Sequence, residues 1–157
     1  MYLNNKYREG DAEKSIGCGS FKSDTHLLND FLHVMNKEIQ SYTFYQKLIE
    51  LTTNYKYKRI LLNIQQDEVK HLRWINMILN KLGEKKPPIP EDEISIEFEA
   101  GLKNAIHDKL ETTAHYRNIA NRATNLSIHI YFIHMAHEEH RHKSCLEYML
   151  YDLKSSI

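Results

Sequence analysis

Two short segments of this chain repeat one pattern. Asp67-Glu68-Val69-Lys70-His71 and Glu138-Glu139-His140-Arg141-His142 both read acid, Glu, two residues, His. On a helix, Glu and His three apart project from the same face. That face is apolar in both segments. Glu68 and His71 interrupt Leu61, Ile64 and Ile75, while Glu139 and His142 interrupt Phe132, Met135 and Leu146. A carboxylate aimed into a core is costly unless it is paired or bound to a metal. Two further inward glutamates are expected, Glu38 between Met35 and Tyr42, and Glu111. Asp108, His107 and His115 are additional candidates around Glu111. Four carboxylates and two imidazoles suit a pair of hard or borderline divalent ions, and the four negative charges match two such ions.

Positioning these groups requires four long helices. Phe31, Val34, Met35, Tyr42, Tyr45, Leu48 and Ile49 mark one face of a helix over 24–52. Leu61, Ile64, Leu72, Ile75, Leu79 and Leu82 mark a second over 56–82, with Gly83 as its stop. Phe98, Leu102, Ile106 and Leu110 follow Ile94 in a third over 94–122, and Ile128, Phe132, Met135, Leu146 and Leu150 mark a fourth over 126–153. Breaks fall at 52–54 and 123–125. Residues equidistant from an antiparallel turn lie at one height. Glu38 and Glu68 centre on residue 53, and Glu111 and Glu139 on residue 125, so both hairpins bring their ligands to matched levels. All three prolines lie between Gly83 and Glu93. Such a strap reaches ~35 Å, enough to carry the chain along a bundle. The expectation is an all-α four-helix bundle of two antiparallel hairpins joined by a Pro-rich crossover, over 23–157, preceded by a flexible arm over 1–22.

In this order and spacing, Glu38, Asp67-Glu68-x-x-His71, Glu111 and Glu138-Glu139-x-x-His142 resemble the ferritin-like di-iron carboxylate family, nearest its rubrerythrin and bacterioferritin branches. The resemblance implies that Glu68 and Glu139 bridge two irons, Glu38 and Glu111 flank one each, and His71 and His142 cap one each. It also implies that Asp67 holds the ring of His142 and Glu138 that of His71. Tyr45 matches a tyrosine found near the metals in such relatives. Ala114 stands where rubrerythrins carry a further glutamate, and two cysteines cannot build their rubredoxin-like iron domain. Val69 stands where bacterioferritins place the haem methionine, so no haem is expected. The implied function is reduction of peroxide, or dioxygen, by a di-iron site that an external electron donor recharges, in a homodimer or larger homo-oligomer. The alternatives are a ferroxidase or iron-handling protein, and a structural bundle without catalysis.

Composition narrows the remainder. The 157 residues suffice for one domain with its own core. Lys plus Arg and Asp plus Glu each number 21, and this zero net charge argues against a nucleic-acid partner. No stretch suits a membrane span or a signal peptide, and Cys18 and Cys145 are too few for a disulfide framework, so a cytoplasmic protein is expected. Cys145 reads as a buried small hydrophobe, and Tyr42 and Tyr45 as core aromatics. His134, His137 and His140, three of ten histidines, are read as a solvated face.

Overall fold

The computed structural model describes residues 20–85 and 95–155. Four helices dominate: α1 over Leu28–Leu51, α2 over Tyr55–Leu82, α3 over Phe98–Arg122 and α4 over Leu126–Ser155. There is no strand among the described residues. Nor is any helix among them long and apolar enough to cross a membrane. A 3-10 segment, Phe21–Leu27, precedes α1. Residues 1–19 of the arm expected over 1–22 lie outside the described residues, as do residues 86–94 of the Pro-rich strap.

Both hairpin turns end in an asparagine that caps the next helix. Asn54 Oδ1 accepts from the amides of Lys56 (2.9 Å) and Tyr57 (3.3 Å). Asn125 Oδ1 accepts from those of Ser127 (2.9 Å) and Ile128 (3.2 Å). Each cap satisfies amides that the first helical turn leaves without a partner. At the far end of α2, Gly83 takes φ +81°, and the amides of Gly83 and Glu84 donate to Asn80 O (3.1 Å) and Leu79 O (3.0 Å). Only glycine adopts this left-handed stop without cost.

Two apolar clusters fill the bundle. One joins Phe31, Val34 and Met35 to Ile75, Leu79, Ile119 and Phe132. The other joins Tyr45 and Leu48 to Leu61, Ile64, Leu102 and Leu146. The first cluster thus holds the start of α1 and the end of α2, and the second holds the start of α3. The end of α2 and the start of α3 therefore lie at opposite ends of the bundle. Between the clusters lies a buried polar layer of Glu38, Glu68, His71, Lys109, Glu139 and His142.

The expected helices stand, except that the first, expected from 24, is α-helical only from Leu28, behind the 3-10 segment, and that the third differs in two respects. The third begins at Phe98 rather than 94. Its inward stripe is Leu102, Ala105, Lys109, Thr112, Thr113, Tyr116 and Ile119, whereas Leu110 is exposed. A run spaced only by fours, such as Leu102, Ile106 and Leu110, advances about 40° around the helix at each step, so it drifts off any fixed face. Alternating threes and fours stay on it. Tyr42 is likewise exposed, and Cys145 is half-buried.

The 3-10 segment is tied to the α3–α4 turn by one carboxylate. Asp24 accepts from the Thr124 amide (2.8 Å), the Thr124 hydroxyl (2.7 Å) and the Asn125 amide (2.8 Å). Burial would raise its pKa, but the bonds from Thr124 and Asn125 outweigh that and lower it. Hydrogen bonds to a charged group contribute about 1.5–3 kcal/mol each at most, and not additively. Asp24→Ala should therefore destabilise the fold by about 2–3 kcal/mol in urea denaturation. Asp24→Asn, which keeps one acceptor, should lose less. Because the folded pKa is depressed, the contribution is present above the unfolded value and fades as pH falls through the folded one.

Candidate metal centre

Five of the six expected ligands meet in the polar layer. Glu38 comes from α1, Glu68 and His71 from α2, and Glu139 and His142 from α4, all essentially without solvent contact. Glu38, Glu68, His71 and Glu139 each offer one donor atom, and these four atoms lie within 4.8 Å of one another, close enough to hold a metal ion. His71 Nδ1 is 3.4 Å from Glu38 Oε2 and 3.5 Å from Glu139 Oε1. His142 Nδ1 is 3.5 Å from the same Glu139 oxygen and 3.8 Å from Glu68 Oε1.

The outer nitrogens of both rings are fixed. His71 Nε2 is 2.9 Å from Glu138 Oε2, and His142 Nε2 is 2.9 Å from Asp67 Oδ2. A carboxylate there holds a proton on Nε2 and turns Nδ1 inward, the atom that offers a lone pair in the neutral ring. Lys70 braces both acids, with Nζ 3.0 Å from Asp67 and 2.5 Å from Glu138, and Arg141 adds a 2.6 Å bond to Asp67. The cross-pairing that the resemblance implied for Asp67 and Glu138 is thus present in the geometry. The bonds and charges of His142 and Lys70 keep Asp67 well below the usual carboxylate range against burial, and those of His71 and Lys70 do the same for Glu138, to about 2.

Inside the layer, several donor atoms make no hydrogen bond: Glu38 Oε2, Glu68 Oε2, Glu139 Oε1, and Nδ1 of both histidines. Buried polar atoms are rarely left so. Here all point into one space, and once deprotonated they are the electron-pair donors that a cation needs. In the metal-free cluster protons compensate. Burial drives the Glu68 pKa well up, despite Lys109. Burial alone would lower His71, but Glu38 and Glu138 reverse it and push it up to about 9.

Glu111 is not part of this layer. Its side chain is 68% exposed, beside His107. The expected height was right but the direction was not, because the α3 stripe that faces α4 runs through Lys109 and Thr112. The additional candidates do not join either. His107 is exposed, His115 packs edge-on against His33, and Asp108 pairs with Lys37 on the surface of the α1–α3 side. His134, His137 and His140 are exposed, as expected.

In place of Glu111, α3 contributes two groups that the periodicity did not reveal. Lys109, 2% exposed, sets Nζ 2.6 Å from Glu68 Oε1 and 2.5 Å from Glu139 Oε2. Tyr116 donates a short hydrogen bond to Glu38 Oε1. Tyr45 is buried, with Lys109 Nζ 5.3 Å from its ring centre. Burial pushes its phenol far above the ordinary value. A cleft of about 490 Å³ between α1 and α3 is lined by Ser41, Phe44, Tyr45 and Asp108, and so reaches the Lys109 side of the layer. The signal for Lys109 lay in spacing: seven residues before Tyr116 and seven after Leu102, it holds the inward register that Leu110 leaves.

Comparison with known proteins gives one similarity. The chain is 27% identical over 131 residues to a Bacillus subtilis (strain 168) protein described as "Uncharacterized protein YhjR", covering 83% of this chain and 90% of that one. No family model matches the chain. No solved structure matches it.

Proposed function

We propose that this chain is a metal-dependent oxidoreductase of the ferritin-like, rubrerythrin-related type, reducing peroxide, or less readily dioxygen, with electrons from an external donor. The observation that carries the reading is the convergence of buried atoms without a hydrogen bond, Glu38 Oε2, Glu68 Oε2, Glu139 Oε1 and His71 Nδ1, with both ring orientations set by Asp67 and Glu138. Carboxylate and imidazole ligands suit iron or manganese. Such an ion, when bound, supplies the electron transfer. The residues supply charge neutralisation, fixed geometry and exclusion of water. Glu38, Glu68, His71 and Glu139 would hold it, while Tyr116 steadies Glu38 through its hydroxyl. The α1–α3 cleft supports access by a small oxidant, and nothing larger needs to enter.

Iron(II) loading followed by stopped-flow mixing with peroxide and with dioxygen tests the function. Faster oxidation by peroxide is expected, with one equivalent of external reductant restoring each oxidised iron. Faster oxidation by dioxygen, with iron accumulating as mineral, would replace this reading with a ferroxidase and iron-handling one. Absence of any bound metal after anaerobic reconstitution would leave a structural bundle.

Metal uptake should also depend on pH. In the metal-free protein His71 keeps its proton up to about pH 9, so a metal must displace it. Mn(II) binding at pH 7 should release protons, and affinity should tighten as pH rises toward 9. Calorimetry in buffers of different ionisation enthalpy measures both. Proton-neutral binding would show that the ring nitrogen is not a ligand.

A further inference from the structure

We infer that Lys109 is a tethered cation standing where a second metal ion would otherwise sit, so that the centre holds one divalent ion per chain. The inference rests on the metal-site reading above and fixes its stoichiometry.

The two central carboxylates carry the argument. Each divides its oxygens between two directions. Glu68 turns Oε1 to Lys109 Nζ at 2.6 Å and leaves Oε2 without a hydrogen bond. Glu139 turns Oε2 to the same ammonium at 2.5 Å and leaves Oε1 at 3.5 Å from both Nδ1 atoms. A carboxylate that spans two cations divides in this way. Here one of the cations is built into α3.

The donor inventory is lopsided to match. The compact set is Glu38, Glu68, His71 and Glu139. On the other side, among the described residues, only His142 Nδ1 remains uncommitted, because Glu111 is exposed and the neighbouring inward residues of α3 are Thr112 and Thr113. Lys109 is held in place from a third direction, with Ser41 Oγ 3.5 Å from Nζ and the Tyr45 ring 5.3 Å away.

Charge gives the same count. Glu38, Glu68 and Glu139 bring three negative charges and Lys109 one positive, a balance of two negative charges. One divalent ion, bound with loss of the His71 proton, neutralises it. Two divalent ions beside the ammonium would leave two uncompensated positive charges in a buried site, which is strongly disfavoured.

The test uses the purified full chain and Mn(II) alone, with metal counted per chain and its electron paramagnetic resonance recorded. The wild type should bind one Mn(II) and give the hyperfine-split spectrum of a magnetically isolated ion. His71→Ala should lose it and His142→Ala should keep it, an asymmetry that a symmetric two-ion site would not show. Lys109→Glu and Lys109→Met should each raise the count toward two, with spin coupling between neighbouring ions. Two Mn(II) in the wild type, or equal losses in the two histidine variants, would overturn the inference while leaving the metal-site reading intact. Loss of Mn(II) from Lys109→Met would make the amine a ligand and overturn it as well. No Mn(II) in the wild type would remove the metal-site reading itself. If the lysine variants do not fold, the wild-type spectrum and the histidine pair still decide.

Discussion

Metal-free Lys109→Met should be less stable than the metal-free wild type by about 3–5 kcal/mol, the usual cost of leaving a buried ionic group without its partner. For a chain of this size that corresponds to a fall of about 6–20 °C in the thermal midpoint. The cause is specific. Methionine fills nearly the same volume, so packing is preserved, but Glu68 and Glu139 lose the only ammonium that touches them among the described residues. Both must then stay charged in a dry layer or take up protons. Lys109 opposes the upward push of burial on the Glu68 pKa, so its removal moves that pKa higher still. A group whose folded pKa is raised loses its stabilising share as pH rises. The deficit should therefore be larger at pH 8 than at pH 5. Lys103→Met, which breaks a surface pair with Glu99, should leave the midpoint unchanged. Urea denaturation of the three proteins in chelator, at both pH values, measures the effect. A Lys109→Met variant as stable as the wild type would mean that the ammonium compensates nothing.

Saturating metal should raise the stability of the wild type by about 2.7 kcal/mol at a free concentration one hundred times the dissociation constant. That is about 5–11 °C. The three converging carboxylates carry more negative charge than Lys109 balances, and a metal that binds the folded state alone shifts the equilibrium. Glu139→Ala should abolish the shift, because Glu139 Oε1 lies 3.5 Å from both inward ring nitrogens and its other oxygen holds Lys109. Thermal melts with Mn(II) and with chelator give the comparison. Coincident midpoints for the wild type would argue against tight binding at the native cluster.

Much of this arrangement is legible in the sequence because it depends on local rules. The apolar stripes of α1, α2 and α4 follow helical periodicity, and the Thr-x-Asn and Ala-Thr-Asn breaks end in the cap residues that start the next helix. Glu68 with His71, and Glu139 with His142, sit on apolar stripes at a spacing that admits only one face. The turn positions then fix their heights, since residues equidistant from a tight antiparallel turn must meet. Glu38 follows from the same argument, and its contact with His71 at 3.4 Å agrees.

The direction of α3 was decided only in three dimensions. Turn symmetry sets height to within about one helical turn, and both Lys109 and Glu111 satisfy it for Glu139. Choosing between them needs the azimuth of α3, and its stripe is weak: Ala105, Thr112 and Thr113 are small or polar, while Leu110 offers a competing apolar position that ends up exposed. By residue type alone, a glutamate joins a metal site and a lysine goes to water. That preference reverses here because Glu68 and Glu139, brought together from α2 and α4, create a field in which an ammonium is stabilised and a further carboxylate is repelled. The sequence by itself determined which helices form, where they turn and that Glu38, Glu68, His71, Glu139 and His142 face inward, but not that Glu111 turns out. The tertiary structure decided that the remaining place is taken by a lysine, because the charge of a buried site is a property of all the chains of atoms that converge on it and of no single helix.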